Sequence, residues 1–137
     1  MKNYAHVFFV FLIFAGCSTI KKDINIPNSL EKSFTELDKL LADSTKQEFA
    51  KMDEDEAVGK AHFGLGLWLR NNWGLWAGKR LAVYFNDKGI FHPDDMSSII
   101  LTSYHRYLNK KDIDIGCTIW NKNFPQLFDC FYNQKNL

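Results

Sequence analysis

The sequence predicts an all-α fold, a compact bundle of about four to six helices followed by an irregular C-terminal tail. Three observations carry this reading. Asn28/Glu31, Ser44/Gln47 and Asp53/Glu56 each place a capping side chain three residues ahead of a glutamate or glutamine, the spacing of a capping box. Leu30, Phe34, Leu37 and Leu41 recur at helical spacing. His92-Pro93-Asp94-Asp95 sets a proline where the first helical position tolerates it, with two acids where the helix dipole favours them. The chain has 137 residues, 46% of them apolar and 15% aromatic, which suits one folded domain and argues against disorder. Its 17 Lys+Arg against 16 Asp+Glu leave no basic footprint for nucleic acid.

Taken in order, the first helix follows Pro27-Asn28-Ser29, with Leu30, Phe34, Leu37 and Leu41 inward and Glu31, Lys32, Glu36, Asp38 and Lys39 outward. Ser44 opens a short second helix with Phe49 and Met52 inward. Asp53 opens a longer third helix from about Glu54, with Val58, Ala61, His62, Leu65, Trp68 and Leu69 on one side. Phe63 and Leu67 lie on its other side, so this segment is apolar nearly all round and reads as the buried centre of the bundle. Gly64 and Gly66 weaken the helix there by about 1 kcal/mol each, and let a neighbouring helix approach closely. The alternation of Phe63, Leu65, Leu67 and Leu69 also fits a strand, which the capped start disfavours. Asn71 to Trp76 reads as a connection. A helix resumes over 78–86 with Leu81, Tyr84 and Phe85 inward, and Lys88-Gly89 stops it. The last long helix runs from Pro93 to about Leu108, with Met96, Ile100, Ser103 and Tyr107 inward and Asp94, Ser98, Leu101 and His105 outward. Beyond Lys110, the stretch from Ile113 to Trp120 reads as a short strand or an extended cover, and the stretch from Phe124 to Tyr132 as one last short helix.

The N-terminus carries an address. Val7 to Ala15 are nine apolar residues without a charge, behind Lys2. A helix of that length reaches roughly 14 Å, about half a hydrocarbon core, so it reads as the apolar region of a secretory signal. It ends in Phe14-Ala15-Gly16-Cys17, which resembles the lipobox of bacterial lipoproteins, although Phe14 stands where an aliphatic residue is usual. That resemblance implies cleavage before Cys17 and lipid attachment to it; the other reading is a plain secretory signal beside a coincidental cysteine. Stable anchoring takes more than one acyl chain. The organisation is then a signal peptide over 1–17, a tether over 18–26, a helical domain over 27–109 and a C-terminal extension packed on it over 110–137. Cys117 and Cys130 are either a disulfide, worth about 3 kcal/mol for a loop of this length, or two reduced thiols.

His62, His92 and His105, with Asp94 and Asp95, are the only set suited to a metal or to acid–base work. Asp94 and His105 stand eleven residues apart on one helix, about 16 Å along its axis, too far for one metal. His92 reads better as a residue fixing the chain before its helix, and His62 as a hydrogen-bonded core histidine. Neither a metal nor another cofactor is expected, and no catalytic residue is assigned. The candidate ligand-binding residues are Arg70, Asn71, Asn72, Trp73 and Trp76, whose rings offer apolar area and whose amides and guanidinium offer directional hydrogen bonds to a carbohydrate or peptide. The competing reading has Trp73 and Trp76 sealing the core while Asn71 and Asn72 cap helix ends.

His62-Phe63-Gly64-Leu65-Gly66, Arg70-Asn71-Asn72-Trp73-Gly74-Leu75-Trp76 and His92-Pro93-Asp94-Asp95-Met96-Ser97-Ser98-Ile99-Ile100 resemble a family of small bacterial domains of unknown function, over a span from Ile26 to about Asn109. The resemblance implies a class and no mechanism. The reading is a lipid-anchored, non-catalytic binding or interaction module at the bacterial cell envelope, with the membrane and an unknown protein or glycan as partners. Without an acidic cluster after Cys17 it faces the periplasm, exposure at the cell surface being the other arrangement. Its rivals are an enzyme acting on envelope polymer through Asp94, Asp95 or His105, and an immunity-type protein that neutralises a periplasmic toxin.

Overall fold

The computed structural model describes residues 24–115. Six α-helices follow one another: α1 (Leu30–Leu40), α2 (Asp43–Lys51), α3 (Glu54–Ala61), α4 (Leu67–Asn72), α5 (Arg80–Asn86) and α6 (Pro93–Leu108). A π-helical turn, His62–Gly66, joins α3 to α4 without a break, so the two form one rod. Among the described residues there is no strand, and no helix is long and apolar enough to cross a membrane. Cys17, Cys117 and Cys130 lie outside the described residues, as do the apolar leader, most of the tether and nearly all of the C-terminal extension.

The local signals place the helices well and their caps less so. Ser29, not Asn28, caps α1, its Oγ accepting from the Lys32 amide at 3.3 Å. Asp53 caps α3, its Oδ1 accepting from the Asp55 amide at 3.0 Å, but Glu56 pairs with Lys60 at 2.6 Å. Helix α2 begins at Asp43, one residue before the expected serine cap, with Ala42 in the capping position and no side-chain cap. His92 caps α6, its Nδ1 accepting from the Asp94 amide at 3.3 Å, and Pro93 is the first helical residue. Gly89, at φ +79°, ends the turn after α5, where the Ile90 amide reaches back to the Phe85 carbonyl at 3.0 Å. The same closure ends α6, with the Lys111 amide donating to the Arg106 carbonyl at 2.9 Å. There the left-handed position, φ 54°, is held by Lys110, a residue with a β-carbon.

The central element is α6, which touches every other helix and the π turn. Met96, Ile99, Ile100, Leu101 and Tyr104 are buried on successive faces of it. Leu30, Phe34 and Leu37 of α1, Phe49 of α2, Ala57 of α3, Leu69 of α4, and Leu81 and Phe85 of α5 complete the core. Two expectations are therefore corrected. Leu101 and His105, assigned to an outer face of α6, are buried, while Tyr107 is exposed. The stretch 54–72 is not the bundle's centre, since Phe63 is 81% exposed and Leu67 is exposed as well. Its apolar character all round does not translate into burial all round.

The π turn supplies the reason for the second correction. The Leu67 amide reaches the His62 carbonyl, five residues back, so one extra residue enters the turn. Every later position rotates accordingly. The inward set becomes Gly66, Leu69, Arg70 and Trp73, displaced by about one residue from the sequence expectation of Leu65, Trp68 and Leu69. Gly66 earns its place here: a β-carbon on it would stand 3.3 Å from Arg70 Nη1 and 3.5 Å from Leu101 Cδ1.

A helix buried over most of its surface must have its buried polar groups answered by its neighbours. Arg106 forms a bidentate pair with Glu54 of α3, Nη2 to Oε1 at 2.7 Å and Nε to Oε2 at 2.9 Å. His105 Nε2 lies 3.0 Å from the Met52 carbonyl and so carries the proton that it donates there. The hydroxyls of Tyr104 and Tyr107 donate to the two oxygens of Asp38, at 2.8 and 3.1 Å. Burial and the Asp38 carboxylate together push the Tyr104 phenol well above its ordinary range. Burial raises the Glu54 carboxyl, but the hydrogen bonds and charge of Arg106 more than offset it, and the group sits below its ordinary value of 4.5.

Two outcomes follow for stability. Lys110→Gly removes a left-handed strain of about 1 kcal/mol and is expected to raise Tm by roughly 4–8 °C; an unchanged or lower Tm contradicts that account. Because the Glu54 carboxyl is depressed in the fold, its contribution is present above its unfolded value and fades as pH falls through the folded one. Urea unfolding is therefore expected to show stability declining as pH drops below 4.5, with a shallower decline in Glu54→Gln. Glu36 and Asp43, also held low by their hydrogen-bond partners, supply part of the slope that remains. A variant with the full wild-type slope rules out the Glu54 contribution.

Candidate functional site

Asp94, in the first turn of α6, gathers charged and polar groups from three elements. Its Oδ1 lies 3.1 Å from Arg70 Nη1 of α4 and 3.8 Å from His62 Nε2 of the π turn. Its Oδ2 lies 3.5 Å from Nδ1 of His92, the cap of its own helix. Beneath it, Arg70 Nη1 donates to Ser97 Oγ at 2.8 Å, and Ser97 Oγ donates to the Asp94 carbonyl at 3.0 Å. Arg70 Nη2 reaches the His62 carbonyl at 3.4 Å, and Arg70 Nε is buried without a partner. The guanidinium is 4% exposed as a residue, whereas water reaches the carboxylate it meets. His62 is thus a half-exposed member of a surface cluster; the histidine in the core is His105, 2% exposed. His92 does fix the chain at the start of α6, by the capping bond already described.

Large apolar side chains surround this cluster. The His62 ring meets Phe63 edge-on at 4.9 Å, and the His92 ring meets Trp76 edge-on at 6.0 Å. Phe91 precedes His92 in the chain and is 72% exposed, and Trp76 is 58% exposed. The result is a surface with a paired carboxylate at its middle and three solvent-facing aromatics around it.

The second feature is a groove of about 340 Å³ lined by Ile24, Asn25, Glu36, Lys39, Leu40, Trp68 and Trp73. Its walls are mostly apolar, and Trp68 and Trp73 meet edge-on in its floor at 6.3 Å. Charge sits at one rim, where Asn25 Nδ2 donates to Glu36 Oε1 at 2.8 Å and Lys39 pairs with the same oxygen at 3.0 Å. Asn25 also receives Arg80 Nη2 from α5 at 2.9 Å. The asparagine bond first, then Lys39, holds the Glu36 carboxyl below its ordinary value. Residues 24–26, read from the sequence as the end of a tether, are therefore bound to the domain, and Ile26 packs against the core.

The five candidate binding residues do not meet in one cleft. Arg70 is drawn to Asp94, and Trp76 lies beside His92, both on the aromatic surface. Trp73 is 1% exposed and belongs to the core and the groove floor. Asn72 donates its amide to the Trp68 carbonyl at 2.9 Å, and Asn71 points to solvent. Residue order made these five neighbours; the end of α4 and the turn at Gly74 send them apart. The sequence signals Glu36 and Lys39 as solvent-facing, since charged positions on an amphipathic helix ordinarily face water, and Asn25 as part of the tether. The residues of the enzyme alternative are equally scattered, Asp94 lying at the surface and His105 sealed against Met52. Among the described residues no group of three or more His, Cys, Asp or Glu is placed to hold a metal.

Residues 26–108 match the family model described as a domain of unknown function, DUF6794. The match covers more than half of the chain, and the chain belongs to that family. No curated protein and no solved structure matches it.

The Asp94–Arg70 pair predicts unequal losses. Asp94→Ala strands a buried guanidinium and is expected to cost about 3–5 kcal/mol. Arg70→Met leaves a carboxylate that water reaches and is expected to cost about 1–3 kcal/mol. Urea unfolding of both variants decides it, and a larger loss for Arg70→Met overturns this account of the cluster.

Proposed function

We propose that this member of the DUF6794 family is a membrane-anchored lipoprotein of the bacterial envelope whose domain is a non-catalytic binding module, with the Trp68–Trp73 groove as its ligand site. The observation that carries the reading is the groove's construction: about 340 Å³, apolar walls, and a charged rim confined to one side. That volume lies in the range of ligand pockets, which are mainly apolar with a few placed polar groups. Trp73 is 1% exposed and so offers no open ring face, which suits the groove to an apolar side chain better than to the flat face of a sugar. The favoured ligand is a peptide segment with one or two apolar anchors and a polar flank that meets Glu36, Lys39 and Asn25. Attachment at Cys17 would hold the groove close to the membrane, since Ile24 forms part of its wall. The periplasmic face is the side on which such a module would act.

Two measurements test this. Mass spectrometry of the protein from its own membranes is expected to find a mature chain that begins at an acylated Cys17; an uncut or unacylated chain ends the anchoring claim. A photo-crosslinker at Leu40, on the groove wall, is expected to give one discrete adduct in membranes, and the same group at Lys51, on the exposed side of α2, none. Identical products from both positions, or none from Leu40, end the groove claim.

A further inference from the structure

We infer that the aromatic surface around Asp94 docks on the lipid bilayer, with Trp76, Phe91 and Phe63 entering the interfacial layer. The inference rests on the anchoring reading above and goes beyond it: it gives the domain a defined orientation on the membrane and assigns that surface an occupant.

Four observations converge. The three aromatics are 58%, 72% and 81% exposed, an apolar area that meets no packing partner among the described residues. They form one surface, because Phe63 touches His62, Trp76 touches His92, both histidines lie against Asp94, and Phe91 adjoins His92 in the chain. The carboxylate at the middle is already met by Arg70, which lies beneath it, so docking brings no unpaired Asp94 charge to the lipid. Aromatic rings with a polar edge, tryptophan above all, favour the layer between headgroups and acyl chains.

The fourth observation selects a bilayer over a soluble partner, and it is where the chain enters the domain. Ile24 shares the groove with Trp73, and Asn25 is bonded to Arg80, so the N-terminal segment joins the domain beside the 73–79 turn that carries Trp76. From Cys17 to Ile24 is a step of seven residues, which spans at most about 25 Å when fully extended. That is less than the roughly 30 Å width of a small domain. An acyl anchor at Cys17 therefore excludes a seating with the chain entry on the far side of the domain, and Trp76 stands on the turn beside that entry.

The test uses the full lipidated chain in vesicles of phosphatidylethanolamine and phosphatidylglycerol whose acyl chains carry bromine, a contact quencher of tryptophan emission. Quenching is expected in the wild type and is expected to fall at least about two-fold in Trp76→Phe, a change at an exposed site that leaves the core intact. Phe91→Glu is expected to lower it as well, with an unchanged far-ultraviolet spectrum showing that the fold persists. Equal quenching in the wild type and Trp76→Phe, with the acyl mass present, overturns the docking and leaves the anchor standing. A crosslinker at Trp76 that captures a second copy or another protein in place of lipid overturns it too. An absent acyl mass overturns docking and anchoring together.

Discussion

The structure depends on one constraint: α6 is surrounded. A helix in contact with every other element has little solvent face on which to leave its polar groups, and this one buries two serines, a histidine, an arginine and the Tyr104 hydroxyl. The neighbours therefore contribute specific answers. Glu54 meets Arg106, the Met52 carbonyl meets His105, Asp38 meets both tyrosines, and Arg70 meets Ser97 while reaching Asp94. Burying a polar group without a partner costs on the order of 1–3 kcal/mol, so these bonds decide which residues of α1, α3 and α4 turn towards the centre. Ser103, whose hydroxyl is buried with no hydrogen-bond partner, and His105, whose Nδ1 is likewise without one, are the exceptions on this helix.

The π turn is the second structural decision, and it links the core to the surface. The extra residue between His62 and Gly66 rotates α4 so that Arg70 enters the protein beneath Asp94 and Trp73 enters the core. Phe63, within the same turn, is left facing solvent beside His62. One local departure from α geometry thus sets the charged pair, the groove floor and part of the exposed aromatic surface. Two glycines within five residues make that departure inexpensive, and one of them also clears the space that Arg70 and Leu101 fill.

Binding and architecture share residues here without competing for them. Asp94 resembles a reactive centre by composition, with two histidines and an arginine around it, yet its partners have structural work: His92 caps α6, and Arg70 bonds Ser97 within the core. The groove differs, since its rim charges pair with one another and leave the apolar walls uncovered. The two surfaces lie on either side of the 73–79 turn, with the N-terminal segment entering beside it. The DUF6794 match, residues 26–108, takes in the aromatic surface and all of the groove lining but Ile24 and Asn25.

What the sequence determined by itself was local. The capped start at Asp53, the Pro93 start and the Asn109 end of α6, the Leu30–Phe34–Leu37 stripe and the all-α class each depend on bonds and spacings within a few residues, and those are written in order along the chain. The tertiary structure alone decided which helix stands at the centre, because 54–72 and 93–108 both carry enough apolar residues to fill that place. It alone brought Asp94 to Arg70 and Asn25 to Glu36 and Arg80, contacts between residues distant in sequence. Hydrophobic periodicity records how much surface a helix must bury but not against which neighbour. A single π turn then rotates the face without leaving a mark in that pattern.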